Sequence, residues 1–287
     1  MENIKRKKIG LALGGGGARG LAHVGVIRAL ERAGVSIDYI AGTSMGALVG
    51  GLYATTRDLD LLEETFRKLD HKDIFPLAHL ITKRDGVLFR NHEIADAVEA
   101  RFKNKNIEQC EIPFVAIATD VQNGDTVIMD SGPLAKAIHA SIALPVMFQP
   151  VQRDKRLLMD GGFSNPVPAD VVRKMGAEYV IAVDVTSQWV NIADQVVNWR
   201  NLYSVISNAL SAVEYQISRQ ILKEADIVLR PPVLNYDWLA FDRAEDLIIA
   251  GEDEARNRLG EICDASGYPR PPQTMFDKFI DFIRDGK

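Results

Sequence analysis

Gly42-Thr-Ser-Met-Gly46 stands between a short apolar run, Tyr39-Ile-Ala41, and a helical pattern that begins at Met45. A G-x-S-x-G pentapeptide in that setting constrains the fold more than any other stretch of the chain. The turn from strand into helix is so tight that side chains two residues before and after the serine would collide, hence glycine at both places. Its strained backbone lifts the Ser44 hydroxyl clear of a sheet. The serine then faces the N-terminus of the next helix, whose dipole and unpaired amides favour an oxyanion. The competing reading is a glycine-rich packing turn, which Gly50 and Gly51 also suggest.

The same alternation of strand and helix runs through most of the chain. Strand patterns fall at residues 9–13, 39–41, 113–119, 125–129, 157–159, 179–185 and 227–229. Helical patterns fall at 19–33, 45–53, 59–69, 93–102, 133–141, 168–175 and 194–224. Such an order predicts an α/β fold with a parallel sheet covered by helices. Pro231-Pro232 breaks the pattern, and helices follow near 243–263 and 275–283, separated by Pro269, Pro271 and Pro272. These two helices either pack on the core or form a small appendage.

Composition narrows the function classes. The chain has 287 residues, 47% hydrophobic and 25% charged, as in a soluble globular protein. Its net charge of -5 argues against a general nucleic-acid binder, which needs a cationic surface. Cys110 and Cys263 are too few for a disulfide framework; they fit a reducing, cytoplasmic setting and read as buried packing. Lys5-Arg-Lys-Lys8 precedes an apolar run of only five residues, shorter than the roughly 7–15 of a signal core. No run reaches the ~18 apolar residues of a membrane span.

A serine hydroxyl needs a base. The histidines are His23, His71, His79, His92 and His139, and none follows in the second half of the chain. The α/β-hydrolase order places its histidine last, after the acid, so a Ser-His-Asp arrangement is poorly supported. A carboxylate must be considered as the direct base. Asp160-Gly-Gly162 follows the strand at 157–159, and open parallel sheets place their sites at the C-terminal ends of strands. Two glycines there let a backbone or a substrate come close, although a simple turn has the same letters. An aspartate normally titrates near 4, so it must be desolvated or tightly placed to take a proton at neutral pH.

Gly14-Gly-Gly-Gly-Ala-Arg-Gly20 follows the first strand and opens a helix, an arrangement that makes an anion-binding nest. It serves either as an oxyanion hole or as a phosphate loop. Gly15, Gly17 and Gly20 match the dinucleotide spacing, but Asp38 precedes the second strand where that motif wants an acid at its end. The Gly-Lys-Ser/Thr of a nucleotide P-loop is absent. Arg19 either binds an anion or braces the loop.

Taken together, Gly15-Gly-Gly-Ala-Arg-Gly20, Gly42 to Gly46 and Asp160-Gly-Gly162 resemble the patatin-like phospholipase family. Ala140-Ser-Ile-Ala-Leu-Pro145 also resembles the family's segment between elbow and aspartate. The resemblance covers about residues 8–184, and less distinctly extends to 231. It implies a three-layer α/β/α sandwich with a mainly parallel central sheet, and a dyad of Ser44 and Asp160 without metal or other cofactor. On it, the amides of Gly15, Gly16 and Gly17 form the oxyanion hole, while Arg19, Gly20, Gly42, Gly46, Gly161 and Gly162 support the motifs. The chain is then one domain over 1–287, with a catalytic core at 8–231 and a helical extension at 232–287.

The substrate implied is a fatty-acyl ester: a phospholipid, a lysophospholipid or a neutral lipid met at a bilayer or micelle. Phe75 to Ile81 either lines an acyl cleft or packs in the core. Lys5 to Lys8, Lys83 and Arg84 either favour anionic lipid or are solvated surface charge. Trp189, Trp199 and Trp238 are interfacial anchors, partner contacts or core. The helix at 194–224 offers a homodimer surface, or buries one face. Rival readings are an acyltransferase on the same dyad, a nucleotide-binding oxidoreductase, and a non-catalytic lipid-sensing module.

Overall fold

The computed structural model describes residues 6–67, 100–102, 105–145, 148–186 and 202–270. The expectations at 75–81, at Lys83 and Arg84, at Trp189 and Trp199, and for the helix at 275–283 lie outside these residues.

Five strands form the parallel heart of the sheet: β1 (Ile9–Leu13), β2 (Tyr39–Thr43), β3 (Phe114–Asp120), β7 (Tyr179–Val183) and β8 (Ile227–Leu229), in the spatial order β3-β2-β1-β7-β8. These runs are apolar at nearly every position because both faces are covered. Ile9, Leu11 and Leu13 point to one layer with Tyr179, Ile181 and Val183, whereas Ala12, Val180 and Ala182 point to the other. The first layer holds α1 (Ala22–Arg32), α2 (Met45–Thr56), α3 (Leu59–Arg67) and α4 (Leu134–Ser141). The second holds α5 (Ala169–Lys174), whose Val171 and Val172 pack on Ala12 and Ala182, joined by Ile221 from the end of α6 (Leu202–Ile221). Helices on both faces of the sheet make a three-layer α/β/α sandwich.

The sheet is mainly parallel, as expected, and its antiparallel part lies on one side. A hairpin of β5 (Val151–Arg153) and β6 (Arg156–Asp160), with Asp154 at positive φ in its turn, joins β3 antiparallel. β4 (Thr126–Met129) also pairs β3 antiparallel. Ile117 pairs with both Thr43 of β2 and Ile128 of β4, and Ala118 pairs with both Val127 of β4 and Asp160 of β6. Since a strand has two edges, β2 and β6 share one edge of β3. β2 ends at Thr43, and β6 takes up that edge one residue further on.

Two other differences are local. The helix expected from Arg19 begins as a 3-10 turn over Gly17–Leu21 before α1. The helix expected near 243–263 is α7 (Ala244–Ser266), and it lies along α1 rather than standing apart. Gly25 and Gly251 make this approach close: a Cβ on Gly25 would lie 1.9 Å from the Ile248 carbonyl oxygen, and one on Gly251 equally close to that of Ala22. Buried Arg28 of α1 pairs with Glu63 of α3 at 3.0 Å and with Glu252 of α7, tying three helices together. No helix among the described residues is long and apolar enough to cross a membrane.

Candidate active site

Ser44 sits at the junction of β2 and α2 with φ 53° and ψ -122°, a strained conformation for a side chain with a Cβ. The strain is held by contacts on both sides. A Cβ on Gly42 would fall 2.4 Å from the Gly46 carbonyl oxygen, and one on Gly46 would fall 2.2 Å from that of Leu13. The elbow therefore needs glycine at both places, as the pentapeptide predicts. The Ser44 amide donates to the buried Ser141 hydroxyl oxygen at 2.9 Å, and Thr43 Oγ1 donates to the Asn165 carbonyl at 2.7 Å.

Asp160 ends β6 level with the point where the chain leaves β2. Ser44 Oγ donates to Asp160 Oδ2 at 2.6 Å, across 116 residues of chain. The Gly162 amide donates to Oδ1 at 2.8 Å, and Thr119 Oγ1 donates to the Asp160 carbonyl at 2.9 Å. The Asp160 amide donates to the Ala143 carbonyl at 3.0 Å. The segment Ala140 to Pro145 thus touches both residues of the pair, one through Ser141 and the other through Ala143. Burial pushes the Asp160 carboxyl up to about 6, while the hydrogen bonds from Ser44 and Gly162 restrain the rise. An acid in that range is a competent base near neutral pH.

Among the described residues no histidine bonds to Ser44 or Asp160. His23 lies on α1 with its Nε2 donating to the Gly14 carbonyl at 2.8 Å, and burial lowers it to about 4. It is a neutral brace under the glycine loop. His139 is half-buried and also lowered by burial, and His71, His79 and His92 lie outside the described residues.

The glycine loop lies beside the serine. A Cβ on Gly15 would touch Ser44 Cβ at 3.4 Å. Gly16 and Gly17 have φ of 149° and 56°, values that favour glycine. The expectation that three successive amides face an oxyanion needs a correction in detail. The Gly15 amide donates to the Pro166 carbonyl at 3.0 Å, because the loop is stitched to the chain after Asp160-Gly-Gly162. The Gly16 and Gly17 amides have no backbone partner among the described residues. The first amides of α2, at Met45 and Gly46, have no intrahelical acceptor by their position.

Arg19 braces the loop: its guanidinium donates to the carbonyls of Tyr236 at 2.9 Å and Leu234 at 3.3 Å. Trp238 covers Gly17, and its carbonyl accepts from the Ala18 amide at 2.8 Å. Gly20 makes room for Met45, whose Cγ would stand 2.5 Å from a Cβ there. Asp38 receives the Ile9 amide at 2.8 Å and pairs with Arg6, at the opposite end of β2 from Ser44. It is far from any ligand held by the loop, which removes the dinucleotide arrangement. Cys110 and Cys263 are free thiols. Among the described residues no cluster of His, Cys, Asp and Glu is arranged to hold a metal ion.

One residue at the centre was missed by sequence reasoning. Glu214 of α6 reaches in beside Asp160, and its Oε1 lies 2.6 Å from where a Cβ on Gly162 would stand and 3.5 Å from one on Gly15. Its carboxyl is pushed well above the usual range, first by burial and then by the charges of Asp160 and Asp184, with Arg19 acting against them. The two glycines of Asp160-Gly-Gly162 thus serve different neighbours: Gly161 admits the Ile117 carbonyl, 2.4 Å from a Cβ built there, and Gly162 admits Glu214. The available signal lay in the pattern of the helix. Among the helix side chains that are described, Glu214 and Ser218 are the buried positions, four residues apart, while neighbouring Val213 is 43% exposed.

The strained Ser44 on its strand–helix elbow, its bond to Asp160 and the glycine loop beside them make up the candidate site on this three-layer sandwich. The family model for patatin-like phospholipase matches residues 11–173. The chain belongs to the patatin-like phospholipase family, a family of lipid-ester hydrolases. Neuropathy target esterase sws of Drosophila melanogaster is 31% identical over 91% of this chain and 20% of its own length. Patatin-like phospholipase domain-containing protein 7 of Mus musculus is 32% identical over 86% of this chain and 20% of its own. An NTE family protein of Mycobacterium tuberculosis is 41% identical over 64% of this chain and 55% of its own. The chain therefore spans about a fifth of the length of the two animal relatives. Among solved structures, VipD from Legionella pneumophila is similar over 91% of this chain and 67% of its own, at 11% identity and a TM-score of 0.48.

Proposed function

We propose that the protein hydrolyses fatty-acyl esters of phospholipids or lysophospholipids through an acyl-Ser44 intermediate, with Asp160 as the general base. The observation that carries this reading is the 2.6 Å hydrogen bond from Ser44 Oγ to a buried Asp160 carboxylate. Ser44 Oγ attacks the ester carbonyl carbon as its proton passes to Asp160 Oδ2. The carbonyl oxygen becomes an oxyanion held by the Gly16 and Gly17 amides. Asp160 returns the proton to the leaving alcohol as the acyl–oxygen bond breaks. Water, deprotonated by Asp160, then attacks the acyl-serine carbonyl, and collapse releases the fatty acid and the Ser44 hydroxyl. Oxyanion donors of this kind are worth ~3–4 kcal/mol each.

An activated serine reacts with a fluorophosphonate. Intact-mass measurement is expected to show one adduct on the wild type and none on Ser44→Ala. Fatty-acid release from lysophospholipid micelles and phospholipid vesicles is expected to vanish in the same variant. Hydrolysis that survives Ser44→Ala would overturn the proposal. On this reading the substrate is drawn from an aggregate, so turnover depends on lipid presentation and the protein makes peripheral contact with a membrane.

A further inference from the structure

Glu214 is buried in the catalytic centre, and the dyad mechanism gives it no task. It comes from α6, the long helix that crosses over the catalytic turn at Gly161–Phe163. Its carboxyl enters between the two loops that carry the chemistry. One wall is Gly15 of the glycine loop, where an added Cβ would also meet Ser44 Cβ at 3.4 Å, and the other is Gly162, whose amide holds Asp160 Oδ1 at 2.8 Å. A methyl group at Gly162 would meet both Glu214 Oε1 and, at 3.2 Å, Asp160 Oδ1. The space between catalytic aspartate and glycine loop is thus filled by an acid. The charged groups that face it are Asp160 from β6, Asp184 after β7 and Arg19 from the 3-10 turn; Asp184 in turn pairs with Arg230 at 3.5 Å.

A second carboxylate charge so near Asp160 would repel the ionised form and leave less of it able to take a proton at neutral pH. A neutral carboxyl avoids that repulsion. It excludes water from Asp160 without adding charge, and burial is the largest cause of the high Asp160 value.

We propose that Glu214 is a positioning residue for the acyl-transfer reaction: as an uncharged carboxylic acid it plugs the gap between glycine loop and catalytic turn, shields Asp160 from water, and must stay protonated during turnover. The inference rests on the Ser44–Asp160 reading given above.

The test compares full-length wild type, Glu214→Gln and Glu214→Ala by pH profiles of kcat and kcat/KM on a soluble acyl ester. Gln has the shape of a protonated Glu and cannot ionise. It is expected to keep kcat within about threefold at pH 7 and the rise of activity near pH 6, and to lose any decline seen in the wild type at alkaline pH. Ala admits water, so its rise in activity is expected to move below pH 6 towards the ordinary aspartate range, with kcat lowered roughly 10- to 100-fold and KM little changed. A folded Gln variant as inactive as Ser44→Ala would mean that the charged carboxylate is required, and would overturn the proposal. So would an Ala variant with the wild-type rate and profile, since Glu214 would then only fill space.

If Glu214→Gln does not fold, the Asp160→Asn protein at pH 7.5 still decides the matter. Its infrared spectrum is expected to show the carbonyl stretch of a neutral carboxylic acid, and the lack of that band overturns the proposal. Ser44→Ala and Asp160→Asn, run alongside, separate the two ideas. If both are inactive while the Glu214 profiles depart from expectation, only the role of Glu214 fails.

Discussion

Asp160 is placed between two demands. In the proposed mechanism it must be buried to be basic enough, and bonded to be held in place. Burial raises its carboxyl from 3.8 to about 6 and so disfavours the charged form that this mechanism uses. The sign for stability follows from linkage. The folded state binds the proton more tightly than the unfolded chain, so stability is highest below the unfolded value and falls as pH rises through about 6. The full difference is ~3 kcal/mol. Asp160→Asn is therefore expected to abolish turnover and yet melt several degrees higher than wild type at pH 8, with the two melting curves converging below pH 4. A variant less stable than wild type at pH 8 would contradict this account. If Asp160 is the base, kcat/KM is expected to rise tenfold per pH unit below about 6 and level off above it. Glycine motifs and the serine were legible because each rests on a local steric need. Glu214 and Ser141 were not, since their roles depend on segments brought together only by the fold.

At the scale of elements, the strands of the parallel heart could be read from their unbroken apolar runs, and the helices between them from their period. Strand direction could not. β6 looks from its sequence like any short strand after a helix, and β5, at three residues, leaves no pattern at all. Asp160 does stand at the C-terminal end of a strand, as expected, but that strand runs antiparallel to β3. Antiparallel entry is what brings it level with Ser44, as its pairing with Ala118 next to the Thr43–Ile117 pair shows. The pairing of α1 with α7 was likewise invisible, because Gly25 and Gly251 each look like an ordinary helical glycine. Gly251→Ala places a methyl group 1.9 Å from a backbone oxygen that cannot turn away. It is expected to cost ~1–3 kcal/mol and to lower Tm by roughly 3–10 °C in a thermal melt, while fluorophosphonate labelling of the folded fraction stays intact.

For the whole molecule, the question left by the sequence was whether the part after Pro231 is an appendage. The structure ties it to the site in two ways. Leu247, Ile248, Ala255 and Ile262 of α7 are buried against the first helical layer. The carbonyls of Leu234, Tyr236 and Trp238 receive Arg19 and the Ala18 amide. We propose that residues 6–270 behave as one folding unit. A chain ended after Arg230 is expected to be insoluble or to lack a cooperative melt, whereas an independent core would stay soluble and label at Ser44. The sequence left open whether the extension packs on the core because its residues carry no motif; they support one carried by others.

The ladder of β3 acts as a ruler for the dyad. Thr43, next to Ser44, and Asp160 pair with adjacent residues on the same edge of β3, so the separation of Ser44 and Asp160 is set by the repeat of the backbone and not by their distance of 116 positions in sequence. A slip of one rung would carry Asp160 ~3.4 Å along the strand and turn its carboxyl to the other face. That makes the pairing all-or-nothing in register, yet indifferent to what the intervening chain does. Outside β3 and the segment at 140–145, which hold both residues, loops between the two can lengthen, shorten or change composition while the distance between Ser44 and Asp160 stays fixed.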